Sequence, residues 1–188
     1  MSTSSIIIIA AIIAVIVVGA IILAVYHSRH VQQERLLRQR FGPEYDRLAQ
    51  QIGSKRAAEK ELQARERRVE QYHIRALSSD ERRQFADRWQ AVQAQFVDNP
   101  QTSLLHADEL LGELMTACGY PVADFDRRAA DLSVDHPVVV QHYHAAHAIA
   151  LRHRKGGATT EDLRQAMIHY RALFDELASA APQAQAAE

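Results

Sequence analysis

Ser78-Ser79-Asp80-Glu81-Arg82-Arg83-Gln84-Phe85-Ala86-Asp87-Arg88-Trp89, continued by Val92 and Phe96, is the stretch on which the fold turns. Ser78 followed three residues later by Glu81 is a capping box, in which each side chain satisfies a backbone N–H at the start of a helix. Phe85, Trp89, Val92 and Phe96 then recur at spacings of four, three and four, the period of one buried helical face. Asn99-Pro100 stops that helix.

The same grammar continues downstream. A second helix is expected from about Thr102, with Leu104, Leu111, Leu114 and Cys118 on one face, as far as Gly119-Tyr120-Pro121. A short third element carries Val122, Phe125, Ala129 and Leu132, and His136-Pro137 opens a fourth with Val140, Tyr143, Ala150 and Leu151 facing the core. Gly156-Gly157 makes a turn, and Thr159-Thr160-Glu161-Asp162 caps a last helix bearing Leu163, Met167, Tyr170, Phe174 and Leu177. No segment alternates like a strand. Residues 77–178 therefore read as a compact antiparallel bundle of about five helices. The Ala-, Gln- and Pro-rich residues 179–188 read as a disordered tail.

Upstream, Gly42-Pro43 breaks the chain and Pro43 starts a new helix, with Glu44 and Asp46 at the positive end of its dipole. Residues 43–76 read as an exposed stalk helix. Between Lys55 and Glu70 only Ala58, Leu62 and Val69 keep an apolar spacing, and pairs such as Lys55/Glu59 and Glu61/Arg65 support a solvated helix. Leu48, Leu62 and Val69 share a heptad position, but Lys55 interrupts it, which argues against a coiled coil.

Farther upstream the chemistry changes. Residues 6–26 read IIIIAAIIAVIVVGAIILAVY, with no charge, whereas the 188-residue chain as a whole is 24% charged with a net charge of −1. As a helix this run spans about 31 Å, close to the roughly 30 Å hydrocarbon core of a bilayer. The five residues before it carry no basic side chain and no small-x-small cleavage site follows, so a permanent transmembrane helix is expected rather than a cleaved signal. Residues 27–42 form a basic juxtamembrane segment with Arg29, Arg35, Arg38 and Arg40 against Glu34. Those arginines are expected to meet anionic headgroups, at roughly 1 kcal/mol each near the surface. They place the C-terminal domain in the cytoplasm by the positive-inside rule. Beyond residue 40 the acidic side chains outnumber the basic, 22 to 18, which gives no footprint for nucleic acid.

Two stretches carry a resemblance: Arg40-Phe41-Gly42-Pro43-Glu44-Tyr45-Asp46-Arg47 and Ala130-Asp131-Leu132-Ser133-Val134-Asp135-His136-Pro137. With the apolar N-terminus they resemble a group of uncharacterised bacterial single-pass membrane proteins, over most of the chain from residue 35 to about 177. The resemblance implies the layout, and with it a bacterial inner-membrane location. It implies no activity, ligand or site residue.

Candidate chemistry centres on histidine, of which five lie between His136 and His153. On one continuous helix His136, His144 and His147 would fall within about 80° of one another. His144 and His147, three apart, are the candidate metal ligands, with His106 or His169 supplied by a neighbour. The plainer reading has His147 packing beside Val140, Tyr143 and Leu151, and the cluster could also titrate as a pH sensor. Asp135 and His136 are candidates for an acid–base pair, although the segment reads more simply as a helix start. Cys118, the only cysteine, reads as a buried structural thiol, and Arg82-Arg83 and Arg127-Arg128 as solvated surface. No phosphate loop, dinucleotide fingerprint or hydrolase elbow is present. The expected protein is a non-enzymatic, membrane-anchored helical module without a cofactor. It would bind a protein partner or weakly self-associate, and the alternative is a metal-binding or enzymatic bundle.

Overall fold

The computed structural model describes residues 18, 19, 21 and 32–180. The described part is all helical, without strands. It divides into a unit ending at Arg40 and a compact unit beginning at Phe41. Nearly all of the expected transmembrane helix 6–26 lies outside the described residues, as do Arg29 and the tail beyond Ala180. Among the described residues no helix is long and apolar enough to cross a membrane.

Residues 32–41 are helical and carry Arg35, Arg38 and Arg40 on exposed positions. Gly42 ends that helix at a positive φ of 49°, which a side chain would disfavour, and Pro43 begins α1, Pro43–Ile52. The compact unit continues with α2, Lys55–Val69; α3, Ser79–Asp98; α4, Pro100–Ala117; α5, Phe125–Asp135; α6, Val140–Arg154; and α7, Thr160–Ser179. The five helices α3 to α7 occupy the span expected for the bundle.

Local chemistry fixes the helix starts. Ser78 and Glu81 form the capping box on α3, and Thr159 with Asp162 forms one on α7. Asn99 caps α4 from its side chain, so that helix begins at Pro100, slightly before the expected start. Asp124 caps α5. Ser179 lies in the last turn of α7, its hydroxyl donating to the Asp175 carbonyl, so the expected tail does not begin there.

Helix α3 packs on α4, α4 on α7 and α7 on α6. Their facing stripes make one continuous apolar core around Leu111, Leu114, Tyr143, Tyr170, Leu173 and Leu177. Trp89 stacks on Phe174 with ring centres 4.8 Å apart. The a/d residues expected on α7 are all buried. Leu151 and Val122, expected to face inward, are exposed. Leu151 sits at the solvent edge of α6 near its end, and Val122 precedes α5 on an extended segment rather than on a helix. The connection from α2 to α3 crosses the end of α4, where Arg75 N–H donates to the Cys118 carbonyl at 2.9 Å. At Gly119, φ 96°, a Cβ would come within 2.2 Å of the His73 carbonyl oxygen, so only glycine admits this crossing.

The exposed stalk does not hold. Helices α1 and α2 fold into a hairpin inside the compact unit, α2 packing on α5 and α1 touching α6. Leu48, Leu62 and Val69, the residues of the interrupted heptad, are buried. Charge content misled here because several of the charged side chains are themselves buried: Glu44, Glu59 and Arg65.

Candidate functional site

The polar chemistry of the described residues concentrates where this hairpin meets α5 and α6. Pro43 and the first turn of α1 bring the Glu44 carboxylate inward, with no exposed surface. Arg47, one turn later, grips it with two bonds, Nε to Oε2 at 2.7 Å and Nη2 to Oε1 at 2.6 Å. Arg65 of α2 donates from Nη1 to Oε1 at 2.9 Å, and Gln141 of α6 donates to Oε2 at 3.2 Å. His144 Nε2 lies 3.7 Å from Oε2, beyond hydrogen-bond reach, and is buried without a partner.

Arg65 also donates to Ser133 Oγ at 3.2 Å, and that hydroxyl donates to the Ala130 carbonyl at 2.6 Å. The two stretches that carry the sequence resemblance, 40–47 and 130–137, are thus joined through one guanidinium. A parallel cluster surrounds the buried carboxylate of Asp131, which accepts from Arg68 at 2.7 Å, Tyr72 at 2.9 Å and Arg127 at 3.3 Å.

Burial alone would raise the Glu44 pKa. The hydrogen bonds and charge of Arg47, the Arg65 bond and nearby His144 outweigh it and hold the group below its ordinary range. Burial, reinforced by Arg47 and Arg65, pushes His144 below its ordinary value, so the imidazole is neutral at pH 7. An ionised carboxylate whose oxygens are already taken by two arginines and a glutamine is a poor proton acceptor. The arrangement is a latch, not an acid–base centre.

The sequence-predicted candidates scatter. His136 caps the end of α5 rather than lying on α6, so it does not share a face with His144 and His147. His144 turns toward Glu44, and His147 stacks on Phe125 with ring centres 3.5 Å apart. His106 meets Gln95, and His169 meets His142 with Nδ1 atoms 2.9 Å apart. Among the described residues no three His, Cys, Asp or Glu side chains come together as a metal ion would require. Asp135 accepts from Tyr120 and His136 meets Glu176, so the two do not pair. Ser133 and Asp135 belong to α5 itself, with the turn falling at 137–139. Cys118 is buried, and burial pushes its thiol up to about 11. Arg128, expected on the surface, is largely buried.

Glu44, Arg65 and Asp131 were not singled out from the sequence. The available signal was weak: a glutamate in the first turn behind Pro43, with arginine three residues on. No family model, no curated protein and no solved structure matches this chain.

Proposed function

We propose that this chain is a single-pass membrane-anchored helical module that presents its compact unit to a binding partner at the bilayer surface. The observation that carries the reading is the juxtaposition in sequence of three segments. These are the uncharged run 6–26, the basic segment with arginines 29, 35, 38 and 40, and a compact unit that follows it directly from Phe41 in sequence. The latch around Glu44 supports it, because it ties the first helices after the basic segment into the domain. The positive-inside rule favours the cytoplasmic face for the compact unit, at what the resemblance implies is a bacterial inner membrane, with the arginines on anionic headgroups.

Alkaline carbonate extraction of cell membranes tests the anchor. The full chain is expected to stay in the pellet, and a chain lacking 6–26 to enter the supernatant; extraction of the full chain would overturn the reading. A reporter fused after Glu188 is expected to be active only in the cytoplasm. Purification in mild detergent is expected to return a stoichiometric partner or a homo-oligomer. A clean monomer with nothing bound would count against the interaction role.

A further inference from the structure

Helix α2 packs on α1 and on α5, and its side-chain bonds mark the arc those helices cover. Glu59 accepts from Tyr45 of α1 at 3.1 Å, and Arg65 reaches Glu44 of α1 at 2.9 Å and Ser133 of α5 at 3.2 Å. Arg68 reaches Asp131 of α5 at 2.7 Å. At about 100° per residue the arc left open is centred on Arg56, Lys60 and Arg67, which fall within about 40° of one another. All three are exposed, and together they form a stripe about 16 Å long. Glu59, Glu61, Glu66 and Glu70 lie outside that arc.

Charge is segregated toward this helix. Residues 55–70 hold six basic side chains against four acidic, whereas the rest of residues 41–188 hold twelve against eighteen. Arg65 and Arg68 are committed to the buried carboxylates of Glu44 and Asp131, while Lys60 and Arg67 form no ion pair with any described residue. A row of exposed cations with no carboxylate in its arc is complemented by an anionic surface.

Chain connectivity says which anionic surface is near. The bond from Arg65 to Glu44 sets the last turns of α2 beside the first turn of α1. Glu44 follows Arg40 by four residues, so their Cα atoms can be no more than about 14 Å apart however the chain runs. The Arg67 end of the stripe is thereby tethered close to the arginines that meet the headgroups in the anchored reading. An acidic protein has no such tether.

We infer that the outer face of α2 is a second basic footing on the bilayer, with Arg56, Lys60 and Arg67 on the phosphates of anionic phospholipids. The inference rests on the membrane-anchored reading and adds to it which face of the compact unit meets the lipid.

Energy transfer from a donor dye on the full chain to an acceptor on vesicle headgroups tests it. Cys118 is buried, so a thiol-reactive dye goes to Gln63→Cys, between Lys60 and Arg67, or to Gln90→Cys, exposed on α3. In vesicles with about a third phosphatidylglycerol, transfer from position 63 is expected to be about twice that in pure phosphatidylcholine, while position 90 changes little. Lys60→Glu combined with Arg67→Glu, both at exposed positions, is expected to bring transfer down to the phosphatidylcholine level. Raising salt from about 0.1 to about 1 M cuts the Debye length from about 10 to about 3 Å and is expected to do the same to the chain without those two changes. Equal transfer from position 63 in the two lipids overturns the inference while the chain still floats with the vesicles. So does transfer that survives charge reversal or high salt; if charge reversal instead releases a co-purifying protein, the stripe belongs to an acidic partner. A chain that floats with neither vesicle overturns the anchored reading, and the inference with it.

Discussion

The two ends of the compact unit are held by different physics. Helices α3 to α7 share one apolar core, whereas none of the buried apolar side chains of the α1–α2 hairpin, from Tyr45 to Val69, belongs to it. The hairpin buries Tyr45, Leu48, Ala58, Leu62 and Val69 apart from that core, and its polar ties to α5 run through Arg65 to Ser133 and Arg68 to Asp131, with Glu44 on Arg65. A buried ion pair adds little net stability over an apolar pair of the same size, yet removing one partner leaves a stranded charge. The polar ties should therefore specify where the hairpin sits, while its buried apolar side chains supply the stability. The largest effect is expected from Glu44→Ala, which takes the buried carboxylate from Arg47 and Arg65 and leaves Arg65 only the half-exposed Glu61 and the Ser133 hydroxyl; it should cost up to about 3–5 kcal/mol. Hydrogen exchange should show residues 43–69 losing protection while α4 and α7 keep theirs. Glu44→Leu combined with Arg65→Met should recover most of the loss; if the double variant is no better than the single, the latch is not an ion-pair device.

Leu111→Ala breaks the other side of the comparison. Leu111 is fully buried in the core of α3 to α7, and its truncation should cost about 2–5 kcal/mol, part of it from the cavity left behind. Here protection should fall throughout the compact unit, because α5 and α6, on which the hairpin rests, belong to that core. A loss confined to α4 would show that the two regions unfold independently.

The difference also decides what the sequence could reveal. The core of α3 to α7 was legible because caps such as Ser78/Glu81 and stripes such as Leu163, Met167, Tyr170 and Phe174 are local signals. The hairpin was not, because its partners are distant in sequence: Arg65 meets Glu44 across 21 positions and Ser133 across 68, and Gln141 reaches Glu44 across 97. Read locally, Glu61/Arg65 is an ordinary surface pair, and that bond does exist at 3.2 Å. Nothing local distinguishes an arginine that also faces inward. Arg128 escaped for the same reason, since Gly112, which makes room for its guanidinium, and its partners Asp108 and Tyr143 lie on other helices.

Acid should loosen the hairpin in two stages with the same sign. His144 has its folded pKa pushed below the ordinary 6.5, so the unfolded chain binds the proton first and stability falls as pH drops below that value. Glu44, lowered from 4.5 by Arg47 and Arg65 against its burial, adds a second loss as pH falls from there through its folded value. Thermal melts between pH 7 and 5 should show a decline that His144→Gln reduces. His147 and His169, also lowered by burial, contribute the remainder from α6 and α7. An unchanged slope in His144→Gln would move the acid sensitivity entirely to those two.

The helix caps extend the contrast at the smallest scale. Ser78 accepts from Glu81 N–H at 3.2 Å while Glu81 returns a bond to Ser78 N–H at 2.8 Å, and Arg75 beside Glu81 holds that carboxylate down to about 2. Ser54 on α2 accepts a single, longer bond from Ala57 N–H at 3.4 Å. Ser78→Ala should therefore cost about 1 kcal/mol and Ser54→Ala about half of that. The hairpin should tolerate the weaker cap because α2 is located by Arg65 and Arg68 rather than by its own first turn. If Ser54→Ala proves the more damaging of the two, α2 depends on local helix initiation, and the latch cannot be what holds it in place.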